Sequence, residues 1–268
     1  MNRRSFITSL CSVGAALVAA PQLPAQEAPA AGQREFVEIR TYTCSSVEKR
    51  DKLLGIFDAA LIPALNRQGV KSVGVFWSDG AVNDGNAAYA TNVIVVVPHP
   101  DAASLAASDQ RLLADARFMK DAAPLFEAPI KDPLYDACSS SLLYTFATLP
   151  QVKQVTPSAD RLLQLRIYNS YTIERNAKKI AMFEQGGEIG VFRACGMQPV
   201  LFGQALAGDK LANLTYLLAF ENKEAKEAAW KTFKAHPEWL KLKADPQYTN
   251  TATKITNIVL RPSKASQL

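Results

Sequence analysis

Histidine is nearly absent: the 268 residues contain only His99 and His236, neither beside a second histidine nor a Cys/Asp cluster at ligand spacing. Zinc sites draw on several nitrogen, sulfur and carboxylate ligands set close together, so no metal is expected. Cysteine is scarce too, with four residues and no Cys-x-x-Cys pair. There is no glycine-rich phosphate loop and no nucleophile elbow. Gly186-Gly187 lies inside a helical pattern, where it reads as a kink or close contact. Nothing in these residues calls for a cofactor. Lys plus Arg exceed Asp plus Glu by only five, and no basic stripe occurs, so no nucleic-acid partner is expected. After residue 20 no apolar run approaches the ~20 residues of a membrane-spanning helix, so no membrane is expected as a partner of the mature form.

What is present begins with an address. Met1-Asn2-Arg3-Arg4-Ser5-Phe6-Ile7 precedes an apolar run from Leu10 to Ala20 and then small residues. A basic head, a short apolar stretch and small residues describe an export signal, and the paired arginines look like a twin-arginine signal. A general secretion signal that happens to carry two arginines is the alternative. Cleavage after Ala25 or Ala30 suits the small-residue rule, and residues 1–30 are read as signal and flexible lead-in. The mature chain is expected in the periplasm or another exported, oxidising compartment.

The chain repeats itself. Glu38-Ile39-Arg40-Thr41-Tyr42 matches Gln164-Leu165-Arg166-Ile167-Tyr168 at an offset of 126 residues (168 − 42). The same offset pairs Val47 with Ile173, Glu48 with Glu174 and Phe57 with Phe183; one residue of slip pairs Gly69 with Gly196. In the first copy residues 36–43 alternate as a half-buried strand. Ser45-Ser46-Val47-Glu48 fits a capping box, and Leu53, Leu54, Phe57, Leu61 and Leu65 give the following helix one apolar face. Pro63 is expected to kink that helix and Gly69 to stop it. Strands follow at 73–77 and 89–97, a helix capped by Asp101, and a strand at 142–146. The second copy runs in the same order: strand 163–168, helix near 172–194, strands near 200–202 and 214–220, a helix capped by Asn222, and strand 255–260.

The fold expected is α+β: two tandem ferredoxin-like βαββαβ repeats packed sheet to sheet as a pseudo-dimeric α/β barrel. Each repeat takes the strand order 4-1-3-2 with helices on one face, and packing the two open faces together covers both. Two separate domains on a linker are the alternative. The boundaries are repeat 1 at 35–149, linker at 150–160, repeat 2 at 161–262 and a tail at 263–268.

Strand one, the helix ending Ile62-Pro63-Ala64-Leu65 before Gly69, and His236-Pro237-Glu238-Trp239 after the last helix together resemble the NIPSNAP family. Asp115-Ala116-Arg117-Phe118 stands at the matching place in the first copy. The resemblance spans nearly all of residues 35–262. It implies a fold similar to dimeric α/β-barrel proteins, a group with small oxygenases and haem-modifying enzymes in it. It supplies no catalytic residue set to carry over, and fold alone does not give function.

Candidate ligand-binding residues come from the alternation. Arg40 and Tyr42 share a strand face with Glu38, as Arg166 and Tyr168 do with Gln164. This polar set is expected between the two sheets, with Ile39 and Leu165 under the helices. The arginines could hold an anionic ligand, or pair with carboxylates as structural glue, which is the commoner use of buried charge. His236, Trp239, Tyr168 and Tyr171 could gather at a pocket mouth and do acid–base work on an apolar substrate. The plainer alternative is a helix stop packed by Trp239. Cys44 and Cys138 flank strands that should be neighbours, so a disulfide could join them, with Cys195 free. Three functions remain open: binding of an unidentified small ligand or protein partner, an oxygenase- or isomerase-like enzyme using the cleft of repeat 2, and an assembly subunit. A homo-oligomer is compatible with each.

Overall fold

The structure, a computed structural model, describes residues 32–155, 158 and 160–268. The export signal and lead-in read at residues 1–30 lie outside the described residues, as does part of the linker. The first half contains β1 (Phe36–Thr43), α1 (Val47–Ile56), a π-helical turn (Phe57–Leu61), α2 (Ile62–Arg67), β2 (Gly74–Trp77), β3 (Asn92–His99), α3 (Ala102–Ala114), α4 (Ala116–Asp121), α5 (Ala123–Phe126) and β4 (Ala137–Thr145). The second contains β5 (Leu162–Asn169), α6 (Ile173–Glu184), α7 (Glu188–Ala194), β6 (Gln198–Ala207), β7 (Asn213–Phe220), α8 (Lys223–Ala235), α9 (Pro237–Ala244), a 3-10 turn (Pro246–Tyr248) and β8 (Lys254–Pro262). No helix among the described residues is long and apolar enough to cross a membrane.

The strands close into one antiparallel barrel in the order β1-β3-β2-β8-β5-β7-β6-β4. Read from β4, the first half runs β4-β1-β3-β2 and the second β8-β5-β7-β6. The halves are stitched where Phe76 and Trp77 pair with Pro262 and Arg261, and where β4 pairs with β6 across a bulge. Closure removes the exposed strand edges that each half would otherwise present. The barrel interior is one aliphatic core drawn from both halves, including Val37, Ile39, Ile94, Leu143, Leu165, Leu217 and Ile258. The helices lie outside, over two further cores, one around Tyr42 and Phe57 and one around Tyr168 and Phe183.

The sequence-based face assignment is therefore inverted. Strand alternation tells which residues share a face, not which face is inward. Ile39 and Leu165 fill the barrel, and Arg40, Tyr42, Arg166 and Tyr168 point to the helix layer. The inward face takes aliphatic chains and short polar ones such as Thr41, Ser141 and Thr215, whereas the long arginine and tyrosine chains keep a route to water at the helix–sheet seam. The two halves do keep step. Tyr42 meets Phe57 edge-on at 5.0 Å, and Tyr168 meets Phe183 edge-on at 6.0 Å. Gly69 and Gly196 both stop their helices at positive φ, 85° and 82°.

Local signals need small corrections. Ser46, not Ser45, caps α1, accepting from the Lys49 amide. The π-helical turn before Pro63 relieves the crowding that proline imposes on the preceding turn. The helix read near 172–194 is two, broken at Gly186-Gly187. The "tail" is not loose: Ser266 accepts from the Val75 amide of β2, Gln267 bonds to Val73 just before it, and Leu268 is buried in the barrel core. Among the described residues no disulfide forms; Cys44, Cys138 and Cys195 are all free. Cys138 sits opposite Tyr42, two residues short of Cys44. That diagonal relation spans roughly 7–8 Å in a sheet, beyond what a bridge allows.

At the α6–α7 break, a Cβ on Gly186 would lie 2.5 Å from the Met182 carbonyl oxygen and 2.7 Å from Leu242 Cδ1. Gly186→Ala should therefore push α6 from α9 and cost about 1–3 kcal/mol, as overpacking does. Urea denaturation of the variant checks this.

Candidate functional site

A cleft of about 1160 Å³ opens in the second half. Its floor is the outer face of β5 and β8, where Gln164, Arg166 and Tyr168 project at two-residue steps. Its walls come from α6, α7, α8 and α9, including Trp230, Phe233 and Trp239. The first half reaches the rim through Asp84. That loop is fixed by Asn83, whose side chain donates to the Val259 carbonyl at 2.9 Å and accepts from the Val259 amide at 2.8 Å. Basic side chains outnumber acidic ones along the lining, six to three.

The two repeated arginines have different surroundings. Arg40 Nη2 lies 2.8 Å from Glu38 Oε2 and 2.8 Å from Asp109 Oδ1. Burial works against its charge, but the Glu38 and Asp109 carboxylates outweigh this and raise its pKa. Tyr42 beside it is packed between Phe57 and Tyr135. Arg40 is thus paired with two carboxylates. At the place of Glu38 the second half has Gln164. Its amide is occupied, accepting from Trp230 Nε1 at 2.6 Å and donating to Asn257 Oδ1 at 2.6 Å. Among the described residues no carboxylate lies within salt-bridge distance of Arg166. Its Nε is buried without a hydrogen-bond partner. Its guanidinium carbon stands 4.6 Å from the Trp230 ring centre and 5.4 Å from that of Tyr168, within cation–π range.

Next to this arginine is a buried ion pair. Lys179 Nζ is 3.3 Å from Glu188 Oε2, with side chains 7% and 2% exposed. It also donates to Met182 Sδ at 3.1 Å and stands over the Phe183 and Tyr168 rings. Burial pushes the lysine down and the glutamate up, each partly countered by the other's charge. The Tyr168 and Tyr216 hydroxyls lie 3.3 Å apart, and burial raises both phenols.

Of the expected pocket residues, Tyr168 and Trp239 line the cleft, whereas His236 and Tyr171 do not. His236 begins α9 without a side-chain cap, and its Nδ1 is buried without a partner. At the equivalent start of α4, Asp115 accepts from the Arg117 and Phe118 amides. Tyr171 is 62% exposed. His99 is fully buried with neither ring nitrogen bonded, and burial lowers its pKa. Among the described residues no group of three or more His, Cys, Asp or Glu is placed to hold a metal.

Many solved structures share the fold, among them three with the following likeness. A "putative monooxygenase" from Fusobacterium nucleatum superposes with a TM-score of 0.58 at 7% identity, over 87% of this chain and 94% of its own. One from Lactobacillus acidophilus gives 0.59 at 11% identity, over 87% and 97%. An "anthrone oxidase-like protein" gives 0.51 at 12% identity, over 87% and 95%. Identities this low establish the fold and nothing of activity. No curated protein matches the sequence. The NIPSNAP family model matches residues 163–267, which hold β5 through β8 and the whole second-half cleft floor. The chain therefore carries a NIPSNAP-family domain over residues 163–267.

Proposed function

We propose that this protein binds a small organic anion with an aromatic or otherwise apolar body in the second-half cleft, its charge resting on Arg166. The observation that carries this is a guanidinium without a direct ion pair: Arg166 has a buried, unpartnered Nε and, among the described residues, no carboxylate within salt-bridge distance, in a cleft with a basic excess. Arginine offers a planar fork of donors suited to a carboxylate, and Trp230, Trp239 and Phe233 supply walls for an apolar body. In this reading the chain is two tandem ferredoxin-like units forming a pseudo-dimeric barrel. The first unit, its arginine saturated by Glu38 and Asp109, serves as scaffold, and the second holds the ligand. The twin-arginine-like start would deliver the folded protein to the periplasm, which fractionation of its own cells checks.

A second reading, an enzyme of oxygenase or isomerase type, is favoured by one observation: the Lys179–Glu188 pair borders the cleft beside Tyr168, whose hydroxyl lies 3.3 Å from that of the buried Tyr216. Calorimetric titration with benzoate and with benzyl alcohol tests the binding reading. Benzoate should bind and the alcohol should not. Hydrogen bonds to charged groups are worth ~1.5–3 kcal/mol, so Arg166→Met should weaken benzoate roughly ten- to a hundredfold. Equal binding of acid and alcohol would contradict the assignment.

A further inference from the structure

Lys179 reaches the cleft wall from α6, on the same tyrosine ring that flanks the arginine. Its Nζ is 5.2 Å from the Tyr168 ring centre, and the Arg166 guanidinium carbon is 5.4 Å from it. We propose that Lys179 condenses with the carbonyl group of an oxo-acid whose carboxylate rests on Arg166, forming a reversible imine, with Glu188 carrying the protons. This rests on the anion-binding reading of Arg166 and names the ligand class and the chemistry of the same site.

A buried lysine–glutamate pair is more often structural than reactive. Three features set this one apart. Both residues border the cleft, although their side chains are only 7% and 2% exposed. The remaining neighbours of the amine are a thioether and two aromatic faces, Met182, Phe183 and Tyr168, so Glu188 is its single acidic partner among the described residues. Arg166 adds a second positive charge close by. A lysine desolvated among apolar groups, or held next to another cation, is the arrangement that makes an amine nucleophilic near neutral pH. Burial acts the same way on both partners, favouring the amine on Lys179 and the protonated acid on Glu188.

The step balances without an oxidant or reductant. The Lys179 nitrogen adds to the carbonyl carbon while Glu188 gives its proton to the oxygen. The nitrogen returns a proton to Glu188. Glu188 then protonates the carbinolamine hydroxyl, which leaves as water as the C=N bond forms. The protonated imine remains paired with the Glu188 carboxylate. Hydrolysis reverses each transfer.

The test is reductive trapping on the whole protein with 4-carboxybenzaldehyde and sodium cyanoborohydride, read by intact mass and peptide mapping. The expected result is one adduct per chain, equal in mass to the aldehyde less one oxygen atom, mapped to Lys179 and suppressed by benzoate. Benzaldehyde, which has no carboxylate, should label Lys179 at least tenfold more slowly. Glu188→Gln, which keeps the side-chain shape, should slow trapping; trapping at the parent rate in the folded variant overturns the proton-carrying role of Glu188. Label spread over surface lysines without excess at Lys179, in protein that binds benzoate, overturns the imine and leaves the anion site standing. Failure to bind benzoate overturns the reading beneath it. Equal labelling by the two aldehydes overturns the oxo-acid assignment.

Discussion

Glu188→Ala is expected to lower the free energy of unfolding by about 3–5 kcal/mol, the cost of leaving one member of a buried pair alone. The lysine left behind is 7% exposed, with a thioether and two rings for company. Whether it sheds its proton or keeps it, an amine stays in an apolar wall without its acceptor. Lys179→Met combined with Glu188→Leu should recover most of the loss, because apolar replacement of both partners is commonly neutral or better. Urea denaturation of the single and double variants decides this. A single variant within ~0.5 kcal/mol of the parent, the range of ordinary surface changes, would show that the pair is solvated and contributes little.

Residues 160–268 expressed alone should not persist as a soluble monomer. They carry Leu163, Leu165, Leu201, Leu217 and Leu260, all packed in the intact chain against the first half across the barrel interior. They would also lose the partners of both outer strands, β6 and β8, which pair with β4 and β2. An open sheet with an apolar face and two free edges aggregates or finds a second copy. Analytical ultracentrifugation should show a homodimer or larger species; a stable monomer would contradict a shared core.

Most of the architecture was legible in the sequence because both halves repeat the same signals. The strand motif, the Tyr42–Phe57 and Tyr168–Phe183 pairs, and the stops at Gly69 and Gly196 all fall at matching places. Which face of β1 and β5 looks inward was not legible, since alternation has no sign until the barrel closes. The break at Gly186-Gly187 was visible as glycine but not as the device that turns Glu188 back onto Lys179. These residues are nine apart, outside the helical spacings that flag a pair. The difference between the arginines was written in plain sight: Glu38 answers to Gln164, so the second arginine lacks the acid that the first one has. Trp230 carried no such flag, because its role depends on α8 folding back over β5. The His236 expectation failed because the side chain starting α9 stays out of the cleft lining.

One paired experiment addresses that difference between two repeated arginines: melting temperature and benzoate affinity for Arg40→Met and Arg166→Met, side by side. Arg40→Met, which strips Glu38 and Asp109 of their partner, should melt lower and bind benzoate as the parent does. Arg166→Met should melt within a few degrees of the parent and lose benzoate roughly ten- to a hundredfold. The reverse pattern, with Arg166→Met unstable and benzoate affinity untouched, would make the second arginine glue like the first and contradict the binding site.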